Sequence, residues 1–202
     1  MLEGGPVSGN SPPGSGGLIV ILGPSGAGKD SILAYARDRL ADRDDIRFVR
    51  RAITRPPHDM SEDFLPMTEA AFDAALAAGR YCFHWQANGL RYGLPQSMLG
   101  FVEDGGLAVV NGSRAAHPAM CELFPSLRSV LVRVNGSVLR ERLRSRGRED
   151  QAEIEARIAR AATYLDAIEP DVVIDNSGAL EESGECFVTY VLDVARQAEQ
   201  GA

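Results

Sequence analysis

Lysine is almost absent from this chain: of its 21 basic residues, 20 are arginine and one, Lys29, is lysine. Cysteine is scarce as well. The three residues, at 82, 121 and 186, are odd in number and too widely spaced for a CxxC zinc or redox motif or a secreted disulfide framework. Basic charge is in deficit, 21 against 28 acidic residues, and a net charge of −7 favours neither nucleic acid nor an anionic membrane as a partner. No apolar run approaches the ~18 residues that would span a bilayer. The first 17 residues, MLEGGPVSGNSPPGSGG, lack the basic start and apolar middle of a signal peptide. They offer little to bury, so we expect a flexible tail over 1–17, a folded domain over 18–202 and a reducing, cytoplasmic setting.

What is present suits a single α/β domain with a small insertion: 202 residues, 45% hydrophobic and 24% charged. Gly17–Leu22 is a continuous apolar run, as in a strand buried on both faces. It leads through a glycine loop into a helical pattern over Ile32–Leu40. Further strands are expected at Ile46–Ile53, Leu107–Val110, Ser129–Val134 and Val172–Ile174, with a hairpin of Tyr81–Trp85 and Leu90–Tyr92 about Asn88-Gly89. Helices are expected over Thr68–Ala78, with Thr68 as N-cap and Gly79 past the end, from Val138 to Gly147, over Ala152–Ile168, and from Leu180 onward. Alternating strands and helices imply a mostly parallel sheet with helices on both faces.

The chemistry is concentrated in Gly23-Pro24-Ser25-Gly26-Ala27-Gly28-Lys29, which fits GxxxxGK between a buried strand and a helix. Glycines there let backbone N–H groups converge on phosphate oxygens at the positive end of a helix. Lys29 supplies a compact ammonium where a planar guanidinium would not serve. The bland alternative is a glycine turn with no ligand; the solitary lysine argues against it. The motif asks for Ser or Thr next, as a Mg²⁺ ligand, but Asp30 stands there with Ser31 behind it. Asp30 is either a first-turn carboxylate favoured by the helix dipole or an anionic Mg²⁺ ligand. Beside a triphosphate, a carboxylate requires a cation, so strict Mg²⁺ dependence is expected.

Residues 140–148 carry five arginines and one acid, +4 within an acidic protein. Arg140 and Arg144 suit a solvated face, whereas Arg146 at the helix end and Arg157 on the next helix are candidates to stabilise a transferring phosphoryl group. A lid is expected at about 145–151. Arg50, Arg51 and Arg55 form a second basic set, and Arg55, fixed by Pro56-Pro57, is the best candidate to grip an acceptor phosphate. Transfer between phosphates needs positioning and charge neutralisation more than a side-chain base, so the lack of a catalytic His or carboxylate pair is unsurprising.

In order and spacing, the glycine loop, Thr54-Arg-Pro-Pro57, Trp85 to Gly93, Arg142 to Gly147 and Glu155-Ala-Arg-Ile158 resemble the guanylate kinase family of P-loop kinases over roughly residues 18–195. The resemblance implies a three-layer nucleoside-monophosphate-kinase fold with an acceptor-binding subdomain at about 50–95. The departures fall on base recognition: His84 replaces the guanine-reading Glu, Leu94 a Ser, Asn111 an Asp, His58 a phosphate-gripping Arg and Phe64 a Tyr. A site stripped of such polar groups discriminates against the base by roughly 10⁴-fold. GKDS, F-V-R-R-x-I-T-R-P, W-Q-A-N-G-L-R-Y-G-L-P and V-I-D-N-S-G together resemble the ribose 1,5-bisphosphate phosphokinase family of phosphonate degradation.

This second resemblance implies that ATP and ribose 1,5-bisphosphate give ADP and 5-phosphoribosyl 1-diphosphate, with Asn176 or Asp175 near the adenine. Residues 23–31 and Asn176 would then hold ATP, Asp30 or Ser31 the Mg²⁺, and Arg51, Arg55, His84 and Tyr92 the acceptor. The expected partner is a small sugar phosphate, with homodimerisation left open. Two other readings compete: a divergent guanylate kinase, and a non-catalytic guanylate-kinase-like module that binds proteins.

Overall fold

The computed structural model describes residues 16–56, 63–147, 150–162 and 169–200. The tail over 1–15, together with Pro57, His58 and Arg148, lies outside them, as does the side chain of Arg146. Five parallel strands form the main sheet: β1 (Gly17–Leu22), β2 (Ile46–Phe48), β7 (Leu107–Asn111), β8 (Leu127–Arg133) and β9 (Val172–Asp175), in the order β2-β7-β1-β8-β9. Every side chain from Leu18 to Leu22 is fully buried. Their alternation feeds two cores. Ile19 and Ile21 pack with Ile32 and Ala36 of α1 (Lys29–Arg39) and Phe187 and Val191 of α7 (Leu180–Gln200). Leu18, Val20 and Leu22 pack on the opposite face with Met98 and Val102 of α3 (Gln96–Glu103) and Met120 of α4 (His117–Leu123). Each such side chain contributes about 1.5–3 kcal/mol of burial, which pins β1 at the centre.

A second sheet, β4-β3-β6-β5, is built from β3 (Ala52–Ile53), β4 (Leu65–Pro66), β5 (Tyr81–Ala87) and β6 (Leu90–Pro95). The hairpin of β5 and β6 turns at Asn88 and Gly89, both left-handed with φ of 51° and 73°. This is the paired positive φ of a two-residue type I′ turn. Helix α2 (Glu69–Ala77) starts where Thr68 accepts a hydrogen bond from the Ala71 N–H at 3.1 Å, and Gly79 follows its last turn. The expected strand over Ile46–Ile53 is in fact two strands in different sheets. Val49 N–H still bonds Val109 O of the main sheet, while Arg51 O already accepts from Leu65 N–H. The chain therefore changes sheets at Arg50-Arg51, which brings both arginines to the junction.

Helices α5 (Gly136–Arg146) and α6 (Gln151–Ala162) form a separate small cluster through Leu139, Leu143 and Ile154. Gly147 closes α5 in the left-handed conformation.

Candidate active site

The glycine loop leaves β1 at the centre of the sheet, where the strand order reverses between β7 and β8. Ligands of open parallel sheets bind at such a point. Two glycines there are obligatory. Gly28, at φ 90°, is the N-cap of α1, and a Cβ on it would overlap the Asn176 carboxamide. Gly23, at φ 150°, lies so close to β8 that a Cβ would come within 2.5 Å of Val132 O. Ala27, fully buried, donates its N–H to Pro24 O at 3.1 Å and closes the loop. Lys29 folds back over the same loop, its Nζ donating to Gly23 O at 2.8 Å and Pro24 O at 3.1 Å. The ammonium is thus held against the backbone of the loop.

Asn176 is placed differently from a nucleotide contact. It is 2% exposed, its Nδ2 donates to Ala27 O at 2.7 Å, and its Oδ1 accepts from Ser183 Oγ at 2.8 Å. It ties the end of β9 and the start of α7 to the underside of the loop. Asp30 accepts a hydrogen bond from Asn111 Nδ2 at 2.7 Å. The other polar atom of that amide, Asn111 Oδ1, is buried with no partner among the described residues. Ser31 is exposed on α1 and does not line the cleft beside this pair.

Arg157 reaches the loop from α6, its Nη1 donating to Ser25 Oγ at 3.2 Å. Arg140 makes a bidentate pair with Glu155 at 2.9 and 3.0 Å, joining α5 to α6 on an exposed face. The sequence reading passed over Arg142. Its Nη1 is buried without a partner among the described residues, and it lies 3.6 Å from where a Cβ of Gly28 would be. The available signal was its position one helical turn before Arg146.

A cleft of about 480 Å³ is lined by α1, by β2 and β7 of the main sheet, and by Arg50, Arg51 and residues 63–66 beside the small sheet. Its polar lining comes from Asp30, Asn111, Arg37, Arg50 and Arg51, and its apolar lining includes Phe48 and Val109. Asp63 pairs with both Arg37 and Arg50, the latter at 2.7 Å. Arg51 is 6% exposed, with its guanidinium carbon 5.2 Å from the Tyr92 ring centroid and 5.9 Å from that of Trp85.

Tyr92, expected at the acceptor, instead lies in the core, stacked on Trp85 at 5.0 Å. Arg55 sits over Phe64 at 5.3 Å and does not line the cleft. His84 is half-buried on β5 opposite Gly93, also off the cleft lining. Burial, and then the Arg91 guanidinium, hold its imidazole below the ordinary range.

Among the described residues no group of three or more His, Cys, Asp or Glu could cage a metal ion, and no helix is long and apolar enough to cross a membrane.

No protein-family model matches the chain. Among solved structures, a guanylate kinase from Anaplasma phagocytophilum superposes with a TM-score of 0.63 over 89% of this chain and 86% of that one, at 18% identity, which establishes the shared fold. The ribose 1,5-bisphosphate phosphokinase PhnN of Thiobacillus denitrificans is 40% identical over 178 residues, 88% of this chain and 94% of that protein. Its counterpart from Desulfomicrobium baculatum is 42% identical over 176 residues, covering 87% and 94%. Identity at that level over nearly nine-tenths of the chain makes it a member of the ribose 1,5-bisphosphate phosphokinase family.

Proposed function

We propose that this kinase transfers the γ-phosphoryl group of ATP to the 1-phosphate of ribose 1,5-bisphosphate, giving ADP and 5-phosphoribosyl 1-diphosphate. A bond forms between an acceptor phosphate oxygen and the γ-phosphorus as the β–γ bridging bond breaks. No proton need move, because the acceptor is already anionic near neutral pH. The observation that carries the reading is the cleft itself: Asp30, the residue after the glycine loop, lines it together with Arg37, Arg50 and Arg51 over an apolar floor, with His84 and Tyr92 off the lining.

The loop amides and Lys29 would hold the triphosphate, with Arg157 and Arg142 closing from the lid helices. Mg²⁺ would be held at Asp30 and Asn111, which meet in the cleft lining. These present a carboxylate and an unpartnered amide oxygen, hard donors suited to an ion that keeps most of its shell from phosphate and water. When bound, the ion would offset the repulsion between Asp30 and the triphosphate. Arg146 remains a proposed contributor to charge neutralisation on the transferring group.

The test is ³¹P NMR of ATP, Mg²⁺ and ribose 1,5-bisphosphate with the purified protein. A new sugar diphosphate appearing in step with ADP supports the proposal, and ADP accumulating without it refutes it.

A further inference from the structure

We infer that the second, non-transferred phosphate of the acceptor binds between Arg37 and Arg50, taking over the two guanidiniums that the Asp63 carboxylate bridges. The inference rests on the function proposed above and adds to it the place where the distal charge of the acceptor is read.

The first observation is placement. Asp30, Leu33, Ala34 and Arg37 recur at helical spacing on α1, and all four line the cleft. Asp30 directly follows the loop lysine, and Arg37 comes two turns later, about 10 Å further along the axis at 1.5 Å per residue. Leu33 and Ala34, between them, bring no charge. A pentose phosphorylated at both ends has the matching pattern: one anion that meets the γ-phosphate, an uncharged ring, and a second anion set away from the first.

The second observation is the geometry of the bridge. Asp63 Oδ2 accepts from Arg37 Nη1, while Asp63 Oδ1 pairs with Arg50 Nε at 2.7 Å. Each carboxylate oxygen thus takes one guanidinium, and the two arginines come from different elements, α1 and the crossing between the sheets. A phosphate monoester has three terminal oxygens and up to two negative charges, so it can meet both donors at once and more strongly than a carboxylate. Arg50 is also held independently of Asp63. Its Nη2 donates to Phe64 O at 3.0 Å, a backbone contact that does not depend on the carboxylate.

The third observation is how easily the bridge can exchange. The side chains of Arg37, Arg50 and Asp63 are 44%, 55% and 40% exposed, and ion pairs this open to water contribute little to stability. Asp63 therefore acts as a weak internal competitor. A phosphate dianion displaces it, whereas an uncharged group such as a purine base gains nothing from the same two arginines.

The experiment compares kcat/KM for ribose 1,5-bisphosphate and ribose 1-phosphate, which shares the reacting phosphate and lacks the distal one. It uses the wild-type protein, Arg37→Gln, Arg50→Gln and Asp63→Asn, each checked by thermal melting. The wild type should prefer the bisphosphate on the order of a hundredfold, mainly through KM. Arg37→Gln and Arg50→Gln should each cut that preference by about tenfold. Asp63→Asn should move the other way, lowering KM for the bisphosphate by about two- to fivefold as the competitor is removed.

A bridge that only ties α1 to the small sheet would depress both acceptors alike and leave the ratio intact in the arginine variants, which overturns the inference. A bisphosphate KM that stays the same or rises in Asp63→Asn overturns the exchange. A wild type that uses both acceptors equally overturns it whether or not the variants fold. A wild type inactive on the bisphosphate but active on GMP would sink the proposed function itself, a different result from any of these.

Discussion

Replacing Asn176 with alanine tests how the phosphate loop is held. The side chain is 2% exposed and spans from Ala27 O to Ser183 Oγ. Ser183 keeps a second acceptor in Leu180 O at 3.1 Å, so the main loss is one buried loop carbonyl left without a donor. Such an orphan costs about 2 kcal/mol, which in a chain of this size lowers Tm by about 4–8 °C. The functional effect should exceed the stability effect, because Ala27 is the residue whose backbone closes the loop. We expect the ATP KM to rise by on the order of tenfold and the stabilisation by Mg-ATP in thermal melting to shrink. Asn176→Asp is isosteric but opposes a carboxylate oxygen to the Ala27 carbonyl, so it should be at least as damaging as alanine. An Asn176→Asp protein with wild-type Tm and ATP KM would refute the assignment of that amide as a donor to the loop.

Lys29→Ala should lower kcat by roughly 10²–10³-fold, since it removes the ammonium that lies against the Gly23 and Pro24 carbonyls of the loop, with thermal melting as the check that the fold is kept; a kcat within threefold of wild type would remove Lys29 from the chemistry. Asp30→Ala should weaken Mn²⁺ binding to the ATP complex by at least tenfold, read by electron paramagnetic resonance, and unchanged Mn²⁺ affinity would relocate the cation. Burial pushes the Cys82 thiol up to about 11, so at pH 8 a thiol reagent should titrate the exposed Cys121 and Cys186 and reach Cys82 only on unfolding. Asp45, hydrogen-bonded by Arg43, and Glu155, hydrogen-bonded by Arg140, are held below the ordinary carboxylate range. The unfolded chain therefore binds protons first as pH falls, and their stabilisation, full near neutrality, should fade below about pH 4. A Tm that stays flat or rises on acidification would contradict this sign.

The parts of the fold legible in the sequence were those fixed by local chemistry. Gly17–Leu22 reads as a buried strand because its side chains meet two cores, and GxxxxGK reads as a phosphate loop because its glycines must face β8 and Asn176. Thr68, Gly79 and Asn88-Gly89 act through caps and turns that involve only their neighbours.

Features set by tertiary context were not legible. Ile46–Ile53 carries one continuous pattern, yet the chain crosses between sheets within it, and that crossing places Arg50 and Arg51 on the cleft. Helices α3 and α4 escaped notice because each is short and lacks a capping side chain. Asn111 was noticed as a departure at the end of β7, but its pairing with Asp30 joins residues 81 positions apart. Tyr92 looked like an acceptor contact because a tyrosine in a motif suggests its hydroxyl, whereas its ring supports Arg51 from within the core.

What sets this kinase apart from one acting on nucleotides is an acceptor cleft that takes a sugar bisphosphate in place of a nucleoside monophosphate. The ratio of kcat/KM for ribose 1,5-bisphosphate to that for GMP, measured with saturating Mg-ATP on the same preparation, tests it most directly. The expected ratio is above about 10³. A ratio below one would mean that a purine is held by groups other than those lining the cleft.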